Sequence, residues 1–222
     1  MDKTGGSLFV ALSLVVMALP LIPLCIFFVR KVQLTPVLNT LKMLCLFIFL
    51  QHLISGFIAP NTPVIQPIAH LVEFLLSFYL IKWMLANKQA RDIMNMAMVS
   101  FLSVVVTVYA IKGIINYYGV IRAVEGLLLF VSVFIVLLQL IGNRQIVMIN
   151  EAVFWIAGGI LCNAGMAVFM EAITACDTGV SQQIQEEKKM VLLATEVIRF
   201  AFFTTAVHVA AEGKKEALWT GL

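Results

Sequence analysis

Charge is scarce in this chain. Only 12% of its 222 residues are Asp, Glu, Lys or Arg, and histidine occurs three times. A water-soluble domain of this length needs a far more polar surface, so that class is excluded. The short alternating segments of an outer-membrane barrel are missing too, which removes a transmembrane β-structure. A net charge of +3, with no basic cluster interleaved with aromatics, argues against nucleic acid as a partner. No phosphate-binding glycine loop, dinucleotide fingerprint, nucleophile elbow or Cys-x-x-Cys pair occurs.

Cys25, Cys45 and Cys162 fall inside apolar runs and Cys176 lies near a boundary. They read as embedded small hydrophobes, with no disulfide framework. His52, His70 and His208 do not have the spacing of a histidine-rich zinc centre. His70-x-x-Glu73 resembles half of a metal site but lacks a partner motif. The last apolar run holds no lysine for a retinal Schiff base. No cofactor, metal or catalytic set is expected, and an enzyme is not the favoured class.

What remains is hydrophobic: 62% of residues, arranged in seven long runs. Each is near the ~20 residues a helix needs to cross ~30 Å of hydrocarbon. The expected spans are Ser7–Val29, Leu38–Ala59, Val64–Ala86, Asn95–Tyr117, Val120–Ile141, Ala152–Ala175 and Met190–Ala211. The fold expected is an all-α bundle of seven transmembrane helices, one domain over residues 1–222. Its first run lacks a small-residue cleavage site and is expected to be retained. Pro20 and Pro23 predict a bend in it, and Pro60-Asn61-Thr62-Pro63 a tight turn. The polar stretch Cys176–Lys189 is expected to be a loop. No internal repeat of the kind found in many transporters is visible.

Lysine and arginine favour one set of loops. Arg30, Lys31, Lys88, Arg91, Arg144, Lys214 and Lys215 share a side with Lys42 and Lys82, against Lys3, Lys112, Arg122, Lys188 and Lys189. By the positive-inside rule the amino terminus is out and the carboxyl terminus in.

The membrane-embedded charges then gather in the outer half. His70/Glu73, Arg122/Glu125 and Glu196/Arg199 each share a helix face at i,i+3 spacing. At 1.5 Å per residue these pairs lie ~14 Å or less below the outer boundary. Gln51, His52, Lys112 and Glu171 fall at similar depth, and Asn163 near the middle of its helix is expected as a floor. A carboxylate facing lipid costs at least ~2.5–3.5 kcal/mol, so these faces are expected to point inward around a polar cavity. The alternative is interhelical ion pairs that only fix packing, each worth ~0.6–2 kcal/mol. Lys112, Arg122 and Glu171 are shallow enough to meet headgroups instead. Gly158-Gly159 is expected to allow close helix approach, within the chain or to a second copy. Trp155, Tyr117 and Tyr118 suit interfacial anchoring.

The chain resembles a group of uncharacterised small seven-helix integral membrane proteins of Bacteroidetes bacteria. The likeness is carried by His70-Leu71-Val72-Glu73-Phe74-Leu75-Leu76, Arg122-Ala123-Val124-Glu125 and Phe154-Trp155-Ile156-Ala157-Gly158-Gly159. It runs from the second helix to the seventh. It departs in the middle of the sixth helix and in the seventh, where Glu196 and Arg199 stand where that group more usually has asparagines. The resemblance implies a fold and a bacterial inner-membrane location, and no chemistry.

The functional expectation is a receptor-like module. It binds a small polar or charged ligand, or a lipid headgroup, and acts through a cytoplasmic or membrane signalling partner. The candidate contacts are His52, His70, Glu73, Lys112, Arg122, Glu125, Asn163, Glu171, Glu196 and Arg199. A small transporter or proton-coupled carrier, an enzyme acting on outer-leaflet lipids from His70 and Glu73, and a structural subunit remain open beside it.

Overall fold

The computed structural model describes residues 14–32, 35–55, 65–113, 117–142, 151–176 and 182–219, without the side chains of 174–176, 182–186 and 213–219. The described residues form helices and no strand. Seven helices follow in order: α1 Leu21–Val29, α2 Pro36–Leu53, α3 Ile65–Met84, α4 Lys88–Lys112, α5 Tyr118–Gly142, α6 Ala152–Cys176 and α7 Gln182–Trp219. Six of them, α2 to α7, are long and apolar enough to cross a membrane. The architecture is that of a multi-pass membrane protein.

The ends of these helices follow from local chemistry. Pro20 has no amide hydrogen, and it divides the apolar stretch Leu14–Val29 into helical residues 14–18 and α1. The expected continuation over 7–13 lies outside the described residues, as does the turn at 60–63. α1 closes with the Val32 amide donating to the Phe27 carbonyl and Lys31 at φ 46°, a conformation that usually takes glycine. α2 opens on Thr35, whose hydroxyl accepts from the Leu38 amide, followed by Pro36 at the first helical position.

α4 starts well ahead of the expected Asn95. The Asn87 side chain caps it by accepting from the Gln89 amide at 2.8 Å, and Arg91 donates to the Leu85 carbonyl at 2.7 Å, tying α4 to the end of α3. Replacing Asn87 with Ala should cost about 1 kcal/mol, read as a lowered melting temperature in detergent.

Packing closes six of the helices into a ring, α1–α2–α3–α5–α6–α7 and back to α1. Phe78, Phe200, Phe203, Leu44 and Ile81 fill its middle, each essentially inaccessible. α4 stays outside: only 11% of its most apolar stretch is buried, and along the whole helix the buried residues are Met94, Phe101 and Val105. Phe101 meets Phe74 of α3 edge-on at 5.1 Å. Its outer face, with Met96, Val99, Val104 and Val106, is apolar and exposed, as a lipid-facing surface must be. The hydroxyls on it are satisfied locally, Ser103 donating to the Val99 carbonyl and Thr107 to that of Ser103.

Glycines set how close the ring helices come. A Cβ on Gly158 of α6 would lie 2.5 Å from the Phe202 ring of α7, and one on Gly159 would lie 3.2 Å from the Arg199 carbonyl. On α5, a Cβ on Gly126 would meet Val168 at 2.8 Å and the Ala164 carbonyl at 3.2 Å. The small-residue face expected at Gly158-Gly159 therefore serves packing inside the chain. Trp155, expected as an interfacial anchor, is half-buried and packs on the Phe202 ring at 5.5 Å between centroids.

The expected loop Cys176–Lys189 is corrected: residues 182–189 are the first two turns of α7. Gln, Glu and Lys are strong helix formers, and a polar helix persists where it leaves the hydrocarbon. At 38 residues α7 is about 57 Å long.

Candidate functional site

Five helices of the ring bring polar side chains to one end of it: α3, α5 and α7 near their amino ends, α2 and α6 near their carboxyl ends. These directions agree with a bundle in which successive spans alternate.

The deepest element is Arg199 of α7, 2% exposed. Its Nη1 donates to Glu73 Oε1 of α3 at 2.5 Å, crossing the ring between helices that are not neighbours in it. Its Nη2 lies 2.6 Å from Glu196 Oε2, one helical turn earlier, though that contact lacks hydrogen-bond alignment. The guanidinium sits over the Phe200 ring, 5.3 Å from its centroid. One buried cation thus holds two carboxylates in a region water scarcely reaches.

Above it, Arg122 of α5 uses a single nitrogen twice. Nη1 donates to His70 Nε2 at 2.8 Å and to the Tyr118 hydroxyl at 2.7 Å. Arginine offers only donors, so His70 Nε2 must accept and the ring proton sits on Nδ1. Nδ1 faces Glu73 Oε2 at 3.6 Å, just beyond hydrogen-bond distance. The other Arg122 nitrogens have no hydrogen-bond partner among the described residues. Glu125, one turn further along α5 and 6% exposed, makes no hydrogen bond or ion pair among them either.

Two cavities meet at the His70–Arg122 contact. The inner one, about 50 Å³, is lined by His70, Glu73, Arg122, Glu125, Asn163 and Arg199 among others. The outer one, about 480 Å³, is lined by Gln51, His52, Arg122, Glu171, Lys188 and Lys189, with Ser55, Gln66, His70 and Tyr118. In this vestibule Lys188 pairs with Glu171 at 2.9 Å. Gln51 Oε1 and His52 Nε2 are buried there without a hydrogen-bond partner among the described residues. Some 480 Å³ is room for a small molecule, while 50 Å³ holds a few waters or one small functional group.

The residues expected from the sequence divide accordingly. His70, Glu73, Arg122, Glu125, Asn163 and Arg199 line the inner cavity, with Glu196 behind Arg199. His52 and Glu171 line the vestibule. Lys112 is the exception: it is exposed at the end of α4, outside the lining of both cavities, because α4 lies outside the ring. Arg122 and Glu171 face the vestibule and are not left to headgroups. His70 and Glu73 acquire no third partner for a metal: among the described residues no cluster of three His, Cys, Asp or Glu has metal-binding geometry.

Sequence reasoning missed Tyr118 and the lysines of the vestibule. Tyr118 precedes Arg122 by four residues, so the two share a face. Lys189, Leu192, Glu196 and Arg199 continue a 3-4-3 spacing that marks one face of a single helix. No protein family, curated protein or solved structure matches this chain.

Proposed function

We propose that this protein is a receptor-like membrane module that takes a small anionic or zwitterionic ligand into the vestibule. The observation that carries this reading is the charge of a cavity of about 480 Å³: among the described residues that line it, Arg122, Lys188 and Lys189 stand against Glu171. His52 Nε2 in its wall has no hydrogen-bond partner among the described residues, and in the tautomer that protonates it this nitrogen donates to an anionic oxygen. A site with an excess of cationic donors favours a carboxylate or phosphate. Both candidate sources, a solute and a lipid headgroup, carry such a group.

The distribution of Lys and Arg supports an outward-facing vestibule, with the amino terminus outside and the carboxyl terminus in the cytoplasm. The resemblance noted in the sequence supports the cytoplasmic membrane of a bacterium. Ligand contact with Arg122 and His70 bears on Glu73 and Arg199 beneath, and through Arg199 on α7. A shift of α7 is the signal offered to a partner protein.

Inorganic phosphate and acetate at millimolar concentration should raise the melting temperature of the protein in nanodiscs. Arg122→Gln with Lys189→Gln should remove the rise. If neither these anions nor zwitterions carrying the same acidic groups change the wild-type transition, the receptor reading is wrong and a structural subunit is the better description. A carrier is the second reading, supported by Asn163, whose position near the middle of α6 extends the polar lining inward. Flux into proteoliposomes that Glu73→Gln abolishes would favour it.

A further inference from the structure

The two cavities differ in sign, and that difference specifies the ligand more closely. Among the described residues of the vestibule the lining cations outnumber the one carboxylate, Glu171. Around the inner cavity, Glu73, Glu125 and Glu196 outnumber Arg122 and Arg199. Glu73 and Glu196 are both engaged by Arg199, so the carboxylate without a direct ion pair among the described residues is Glu125, which feels Arg122 one turn away only at longer range. It is 94% buried by its exposure of 6%, lines the cavity, and makes no hydrogen bond or direct ion pair among the described residues. A buried carboxylate left alone is costly, and a cationic group beside it removes that cost. The space there, about 50 Å³, fits an ammonium group, and a primary ammonium, unlike trimethylammonium, brings N–H donors to the carboxylate.

Arg122 and Glu125 stand one helical turn apart on one face of α5, which sets their Cβ atoms about 5–6 Å from each other. One has unengaged donors, the other unengaged acceptors, and Arg122 lines both cavities. Resting on the receptor reading above, we infer that the site binds a small zwitterion: a primary ammonium against Glu125 in the inner cavity, joined by a short linker to an acidic group held by Arg122 and Lys189 in the vestibule. Entry of the ammonium requires the His70–Arg122 contact to open. The free hydroxyl proton of Tyr118, whose oxygen accepts from Arg122, is available to the acidic group as a further donor. Free amino acids and the ethanolamine-phosphate headgroup of a membrane lipid share this chemistry.

The test compares each zwitterion with its amine-free counterpart by calorimetry on protein in phosphatidylcholine nanodiscs: phosphoethanolamine against inorganic phosphate, and β-alanine against propionate. At least one zwitterion should bind tenfold or more tightly than its counterpart. Phosphocholine should be no better than phosphate. Glu125→Gln should weaken the preferred zwitterion about 10- to 100-fold, the loss of a charge-assisted contact, and leave phosphate unchanged. Glu125→Asp, which keeps the charge, should retain the preference. A native elution profile for both variants separates loss of binding from loss of fold.

Replacing part of the nanodisc lipid with phosphatidylethanolamine identifies the source. Competition with phosphoethanolamine assigns the site to the headgroup; unaltered binding assigns it to a solute. If anions bind but no zwitterion exceeds its counterpart, or Glu125→Gln changes nothing, this inference fails and the anion-binding vestibule stands. If the wild type binds none of the four probes, both fall together.

Discussion

Arg199→Met is expected to prevent the protein from accumulating in folded form. The substitution keeps most of the side-chain volume but leaves Glu73 and Glu196 facing one another without their shared cation. Removing one partner of a buried ionic group costs about 3–5 kcal/mol, a large fraction of the ~5–15 kcal/mol by which a folded domain outweighs its unfolded chain. A broadened or aggregated elution profile of a fluorescent fusion would report it. The triple variant Arg199→Met, Glu73→Gln, Glu196→Gln removes every charge at once and should return the profile close to that of the wild type. A stable, monodisperse Arg199→Met protein would mean that the cluster is hydrated and that Arg199 does not bind α3 to α7.

Gly126→Ala tests the other requirement of the site, the close approach of α5 to α6. The added methyl has two neighbours of different character: a Val168 methyl at 2.8 Å and the Ala164 carbonyl at 3.2 Å. A side chain yields and a helical carbonyl does not, so α5 must move away from α6. Overpacking of this kind typically costs 1–3 kcal/mol. Val168→Ala in the same chain should restore part of that stability and not all of it, because the carbonyl contact remains. Since Glu125 and Arg122 ride on α5, anion binding should weaken along with stability. Full rescue by Val168→Ala would show that the backbone contact is immaterial.

Much of this arrangement is legible in the sequence, for definite reasons. A run of apolar residues has one outcome in hydrocarbon, so α3, α5 and α6 lie close to where composition puts them. The i,i+3 pairs identify an inward face because a charge facing lipid is expensive. Which partner each charge selects is not legible. Glu73 engages Arg199, distant along the chain, while Glu125 does not pair with the Arg122 that shares its helix face. That choice depends on the ring closure and on glycine-set distances that no local pattern encodes. Lys112 misled the reading because depth along a helix says nothing of whether that helix joins the ring. Lys188 and Lys189 were obscured by their polarity: a stretch read as a connection is helix, and the 3-4-3 spacing extends beyond the apolar window that defined the span.

The length of α7 has a mechanical consequence. From Arg199 to Trp219 the helix continues for about 30 Å, with the ionic floor at one end of that rod. Pivoting such a rod by only ~5° at the guanidinium sweeps its tip through roughly 2.6 Å, given 1.5 Å of rise per residue. A displacement too small to alter the interior around Glu73 would still be large enough for a neighbouring molecule at the opposite membrane face to detect.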